Sequence, residues 1–457
     1  MPDFFASDAL LPTGWARDVR FAVDARGDLV SVAAGATADG AERLAGPVLP
    51  GLADLHSHAF QRAMAGLGER AGPQGDNFWS WRDIMYRFIR RLAPRDVEAV
   101  ATQLYVELVR HGFTSVCEFH YVHNDPDGER YDVPTELSDR IVAASAASGI
   151  GLTLLPVLYQ ASGFGGTAPN DGQKRFVLDD DSYADLVERL VRRHRGDPQV
   201  CVGIAPHSLR AVTPPALKAA LAMLDRLDAD APVHIHIAEQ PKEVADCKVW
   251  SGTTPVDWLL ANAPVDRRWC LVHATHVTPA EVDAMAKRHA VVGICPATEA
   301  NLGDGLFPFG DFLKAGGVFG VGTDSNVSTS PVEELRWLDY GQRLVHLGRN
   351  VTHRPEGAST GAFLFERARA GGAQAAGRRT GALTPGYRAD FVVLDDGHPA
   401  LVGRAPETLV DAWLYCGNAN PVRDVVVGGQ WVVREGHHRH GEQAAADFAK
   451  TARKLLA

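Results

Sequence analysis

An α/β architecture is predicted for this 457-residue chain: a (β/α)8 barrel carrying a small β-sandwich-like domain built from both chain ends. Three observations point to it. Eight short apolar runs alternate with helix-like stretches through the middle of the chain. Most of those runs stop at an ionisable residue, which is where such a barrel gathers its functional groups. The two ends lack that rhythm and read as short strands broken by glycine.

Residues 1–48 hold Val19–Val23 and Leu29–Val32, separated by a turn at Arg26-Gly27-Asp28. The barrel is expected over 49–380. Its strands are Leu52–His58, Thr114–Phe119, Gly151–Tyr159, Val200–Pro206, Val233–Ala238, Trp269–His273, Ala290–Cys295 and Val318–Thr323. Between them, Arg95–Arg110 repeats Val97, Val100, Ala101, Leu104 and Leu108 at helical spacing, and Gly112 follows as a stop. Ser182–Arg195 repeats the pattern, as does Pro214–Leu227 behind an N-cap at Thr213, and Pro279–Arg288 follows Thr278 in the same way. Residues 381–457 read as strands at Asp390–Asp395 and Ala412–Tyr415, then a hairpin of Val422–Val427 and Gln430–Val433 about Gly428-Gly429. A helix over about Glu442 to Leu456 closes the chain. Neither end has enough apolar pattern for a core of its own, so the two are expected to pair.

Composition bounds the function. A hydrophobic content of 46% with 22% charged residues is that of a globular protein. No apolar run reaches the roughly 18 residues that span a bilayer. The start, Met-Pro-Asp-Phe-Phe, lacks the basic and apolar regions of a signal peptide, so a cytoplasmic protein without a membrane partner is expected. A net charge of −10 argues against nucleic acid. The six cysteines are scattered without a Cys-x-x-Cys pair and read as buried, reduced thiols.

The strand ends carry the chemistry. His56 and His58 lie two apart, so a strand directs both to one face. Strand five holds His234, His236 and then Glu239, strand six ends at His273, and strand eight runs into Asp324. Catalytic zinc takes three or four protein ligands and a water. His56, His58, His236 and Asp324 supply three imidazoles and a carboxylate. His236 is preferred to His234 because Glu239 follows it by three and can turn back over the metal. His234 is expected deeper, as a hydrogen-bonded core histidine. His437-His438-Arg439-His440 is metal-like in composition but reads as a solvated tail.

This pattern of His56-x-His58, His236-x-x-Glu239, His273 and Asp324 resembles the amidohydrolase superfamily, and within it the mononuclear deaminases. The resemblance covers nearly the whole chain. It implies one Zn2+ per subunit, since Val202-Gly-Ile-Ala-Pro206 offers no lysine to bridge a second metal. Further segments, His58-Ala-Phe-Gln61-Arg62, Asn77-Phe-Trp-Ser-Trp-Arg82, Glu118-Phe-His-Tyr121 and Ala205-Pro-His-Ser-Leu-Arg210, are similar to the formimidoylglutamate deiminase family. What that implies is hydrolysis of N-formimino-L-glutamate to N-formyl-L-glutamate and ammonia, in histidine degradation. Glu239, His273 and Asp324 would be catalytic: Asp324 or His273 takes the proton of water, and Glu239 shuttles one to the leaving nitrogen.

A small-molecule dicarboxylate needs cations and donors around it. Gln61, Arg82, Tyr121, His207 and Arg210 are the candidates. Arg82 falls in a long segment after strand one and acts in its own or a neighbouring subunit. The aromatic cluster Phe78-Trp79-Ser-Trp81 pins that segment or lines the interface of an expected homodimer. Two rival readings are a deaminase of a neutral purine or pyrimidine base on the same scaffold, for which two arginines have no use, and a non-catalytic assembly protein, against which the intact ligand set speaks.

Overall fold

The computed structural model describes residues 3–71, 76–352, 357 and 359–457. Eight parallel strands make the barrel: β1 (Leu52–Ser57), β2 (Phe113–His120), β3 (Gly151–Leu158), β4 (Val200–Val202, resuming at Ala205–Pro206), β5 (Val233–Ile237), β6 (Trp269–His273), β7 (Val291–Ile294) and β8 (Val318–Val321). Strands β1 to β4 pair in order, and so do β5 to β8. Isolated parallel bridges join the two halves, Ile204 to Val233 and Ser208 to His236 at one seam, Ser57 to Asp324 at the other. The second seam is tight. A Cβ on Gly322 would lie 2.9 Å from the backbone of His56, so only glycine lets β8 approach β1 there.

The helices follow the punctuation of the sequence. Pro94–His111 begins where Asp96 accepts the Ala93 N–H and ends at Gly112, whose φ of 108° a side chain would strain. Thr213 and Thr278 accept the N–H of Ala216 and Glu281 at the starts of Pro214–Leu227 and Pro279–Lys287.

Both chain ends enter one nine-stranded sheet. Val48–Pro50 from the N-terminal side pairs antiparallel with Phe391–Leu394 from the C-terminal side. The sheet curls over its own core, so that the Phe4 ring meets Phe391 at 5.3 Å and Trp431 at 5.7 Å. A single folded-over sheet thus does the work of a sandwich.

Four local readings change. Ala412–Tyr415 is the end of a helix, Pro406–Tyr415, not a strand. Leu409 and Trp413, four apart, are both buried on its inner face, a spacing that the run Ala412–Tyr415 is too short to show. The Trp79–Arg82 segment is also helical, Phe78–Ile89, capped by Asn77, which accepts from Trp79 N at 2.9 Å. His438 is buried rather than solvated and meets the Ser148 carbonyl at 2.8 Å. Cys416 is exposed and Cys201 partly so, the other four cysteines being buried. Among the described residues no helix is long and apolar enough to cross a membrane.

Candidate active site

The alternation of a strand sends Asp54 and His56 the same way, and closure of β1 against β8 brings Asp324 beside them. His56, His58, His236, His273 and Asp324 are all buried. The Nε2 atoms of His56 and His236 lie 3.0 Å apart. Asp324 Oδ1 is 3.7 Å from His56 Nε2 and 3.4 Å from His58 Nε2, and its Oδ2 is 3.7 Å from His273 Nε2. His58 donates from Nδ1 to the Phe119 carbonyl at 3.0 Å, and His236 from Nδ1 to the His207 carbonyl at 3.1 Å. With the proton held at Nδ1, the lone pair of each Nε2 faces the cluster. Two imidazole nitrogens at 3.0 Å need a proton or a cation between them. Ligands roughly 2.0 Å from a tetrahedral zinc stand about 3.3 Å from one another, and two buried triads that share His56, His56–His236–His273 and His56–His58–Asp324, are gathered closely enough to hold such an ion.

The backbone turns sharply where these side chains emerge. Ala238, His273, Ala274, Asp324 and Asn326 all have positive φ, between 49° and 69°, at the ends of β5, β6 and β8. Non-glycine residues in that region cluster where surrounding bonds over-determine them. Asp54 supplies some of those bonds, accepting from Thr323 N at 3.0 Å and Thr323 Oγ1 at 2.6 Å. Asn326 donates to the carbonyls of His58 and Asp324 at 3.0 and 2.9 Å. Glu118 accepts from Ala59 N at 2.7 Å and from Tyr105 Oη at 3.0 Å. Glu243 receives the N–H of Ala238 and Glu239.

Burial sets the electrostatics. It holds His56 and His236 well below the usual imidazole range, helped by repulsion among the histidines, and takes His58 down to about 3. These rings are neutral, as metal ligands must be. Burial likewise pushes Asp324 up to about 7, with His273 opposing. His273 goes the other way. Burial would lower it, but Glu239, the hydrogen bond to Glu299 and Asp324 outweigh that and raise it to about 10. Its Nδ1 meets Glu299 Oε1 at 3.3 Å, while Nε2 lies 3.9 Å from Glu239 Oε1.

One cavity opens beside this cluster. Gln61, Arg82, Tyr121, His207, Arg210 and Glu239 line it together with His58, His236, His273 and Asp324. Gln61 donates to Tyr121 Oη at 2.8 Å. The Arg82 guanidinium stacks on Trp79 at 4.6 Å, and Arg210 sits 5.9 Å from the same ring. Arg82 therefore faces the cavity of its own chain. Arg210 is also 3.6 Å from Glu239 Oε2 and 3.8 Å from Glu243 Oε2. His56 lies beneath the cavity, and His234 is deeper still, within 2.8 Å of the Ala375 carbonyl.

Compared with known proteins, residues 48–432 match the profile of the amidohydrolase family. The chain belongs to that family. Residues 1–46 match the N-terminal domain of formimidoylglutamate deiminase. A formimidoylglutamate deiminase of Pseudomonas aeruginosa is 53% identical over 456 residues, covering 100% of both chains. The crystal structure of an amidohydrolase from Brucella melitensis is 48% identical with a TM-score of 0.95, again over 100% of both chains. An adenosine deaminase from Xanthomonas campestris with bound zinc shares the fold at a TM-score of 0.82 and 22% identity, covering 99% of this chain and 98% of that one.

Several polar groups of this amidohydrolase escape a reading of the sequence: Asp54, Glu243, Glu299 and Asn326. Two left a signal. Asp54 is an acid inside an apolar strand at the parity of His56, and Glu243 follows Glu239 by one helical turn.

Proposed function

We propose that this amidohydrolase is a formimidoylglutamate deiminase, hydrolysing N-formimino-L-glutamate to N-formyl-L-glutamate and ammonia in histidine degradation. The observation that carries the reading is a pair of arginines, Arg82 and Arg210, set on one aromatic ring in the cavity that also holds the histidine–aspartate cluster. Such a wall suits carboxylates, and the full-length identity to the Pseudomonas enzyme supports the same substrate.

His56, His58, His236 and Asp324 are the residues that would hold one Zn2+ per subunit. A zinc ion there supplies Lewis acidity, which makes water acidic enough to attack near neutral pH. The chain's own residues do the rest. Asp324 accepts the proton of the attacking water as the new C–O bond forms at the formimino carbon. His273, flanked by Glu299 on one nitrogen and by Glu239 and Asp324 on the other, keeps both protons and acts as a donor to the developing oxyanion. Glu239 accepts the proton of the new hydroxyl and delivers it to the terminal nitrogen, while Asp324 releases its own to solvent. The C–N bond breaks, ammonia leaves, and the carbon closes to a formyl group. Arg210, Arg82, His207, Tyr121 and Gln61 bind the two carboxylates.

A cytoplasmic homodimer completes the proposal. Its support is metabolic role and an exposed apolar stripe, Trp337, Tyr340 and Leu344, on the helix Pro331–His346. The test is a coupled ammonia assay of purified protein against N-formimino-L-glutamate, N-formimino-L-aspartate and guanine, with metal content measured on the same sample. Turnover of formiminoglutamate well above the other two is expected. Faster release from guanine would overturn the assignment.

A further inference from the structure

The loop after β3 returns to the cavity through a short 3-10 turn, Asp171–Gln173, and Gln173 is 1% exposed. The orientation of its amide is settled by the chain itself. The backbone N–H of Asn170 donates to Gln173 Oε1 at 2.9 Å, so Nε2 must face the other way. There it meets Tyr159 Oη at 2.6 Å and Tyr86 Oη at 3.3 Å. A primary amide carries two protons, one for each phenol oxygen. Both phenols thus act as acceptors toward Gln173, and their own protons must point elsewhere. One phenol can give its proton to the other, but a pair can use only one this way. At least one O–H remains, and neither phenol has a further protein acceptor among the described residues.

Where that proton points follows from position. Tyr86 and Tyr159 both line the cavity with Arg82 and Arg210. The two tyrosines come from distant parts of the chain, the helix Phe78–Ile89 and the end of β3, and the turn locks them in place. The Phe176 ring packs against Tyr121 at 4.8 Å, Tyr159 at 5.5 Å and Tyr86 at 6.1 Å. Arg175, 1% exposed, donates to the carbonyls of Ile89 and Leu92 just past Tyr86, and to that of Asn124 at 3.0 Å. An O–H on a held ring, sharing a cavity with two guanidiniums and without an acceptor among the described residues, is a site for an anionic oxygen.

We propose that the Tyr86–Gln173–Tyr159 cluster presents a phenolic donor to a substrate carboxylate, with Gln173 as the positioning residue, and so adds to the dicarboxylate preference set by Arg82 and Arg210. The inference rests on the proposed function, and the experiment separates the two. Glutarate is titrated into zinc-loaded wild type, Tyr86→Phe, Tyr159→Phe and the double variant, with melting temperature and zinc content followed in parallel. Each phenylalanine keeps the ring that Phe176 packs against. Glutarate affinity is expected to fall roughly ten- to hundredfold in at least one single variant and in the double variant, the range for a charge-assisted bond. Gln173→Met, which frees the phenols to turn, is expected to raise KM while leaving kcat within about twofold. Wild-type glutarate affinity in the double variant overturns the proposal. Ammonia release from N-formimino-L-glutamate by the wild type reports on the reaction alone. If release is absent while glutarate binding still depends on the tyrosines, the assigned reaction fails and the donor cluster stands.

Discussion

Arg210 has two jobs that one substitution confounds and two can separate. Its guanidinium lies between Glu239 and Glu243, 3.6 and 3.8 Å from their carboxylates, and also faces the cavity. Glu243 is fully buried, and burial already pushes its carboxyl above the usual range. Replacing Arg210 by Met removes the cation and strands that charge, which costs about 3–5 kcal/mol for a buried pair. The same change removes a charge-assisted contact to a substrate carboxylate, about 1.5–3 kcal/mol, or roughly ten- to hundredfold in KM. Arg210→Met is therefore expected to melt earlier and to show a raised KM for N-formimino-L-glutamate. Adding Glu243→Gln neutralises the stranded carboxylate and keeps an acceptor for one of the two backbone N–H groups that Glu243 receives. The double variant is expected to recover most of the lost melting temperature while KM stays raised. Steady-state kinetics and thermal melting on the two variants, at equal zinc content, complete the cycle. If the double variant recovers KM as well as stability, Arg210 serves the fold alone and the carboxylate pocket is misassigned.

Glu239→Gln keeps the shape of the site but cannot carry a proton, so kcat is expected to fall by about two to four orders of magnitude with zinc content unchanged; a tenfold loss or less in single-turnover ammonia release would remove Glu239 from proton transfer. Dialysis against a chelator is expected to abolish ammonia release, and readdition of zinc to restore it. Activity that survives with no metal by elemental analysis would refute the ligand set. His123 offers a pH test away from the metal: burial takes it down to about 4, against a hydrogen bond to the Val157 carbonyl at 2.9 Å. Between pH 6.5 and 4 the unfolded chain binds a proton there that the folded chain does not, so stability falls as pH drops through that window and levels off below it. His123→Gln is expected to flatten this segment of the melting-temperature profile; an unchanged slope would assign it to other groups.

The barrel was legible because its two signals, alternating elements and ionisable strand ends, are local. Each strand carries its own evidence, and the fold only has to gather it. His-x-His, His-x-x-Glu and the lone Asp324 are legible for the same reason, since the chemistry of a ligand narrows which residue type can serve. The supports were harder to see. Glu299 matters because it meets His273 across 26 residues, and Asn326 because it reaches back to His58 across 268. Nothing in the local sequence of either says so; only closure of the barrel brings the partners together. Ala412–Tyr415 misread as a strand for a different cause. Four apolar or aromatic residues in a row show neither a period of two nor one of 3.6, and the buried pair Leu409 and Trp413 emerges only in a wider window. His438 misled by composition: three histidines in four residues suggest solvent, yet the register of one short strand buries the middle one.

The seam between the first and last barrel strands has a meaning for how the enzyme is made. The backbone of Asp324 is bonded on one side to His56 and on the other to His58, at 2.8 and 3.0 Å. The hydrogen bonds of this seam and three of the four side chains that would grip the ion thus belong to the same three residues. Contacts this distant in sequence are among the slowest for a folding chain to make. A chain that stops short of Asp324 has His56, His58 and His236 but not the carboxylate, so completion of the proposed ligand set would coincide with closure of the ring. A bound ion would then fasten the seam between β1 and β8. Amide exchange along β1 and β8 in the zinc-free and zinc-loaded protein would read that joint directly.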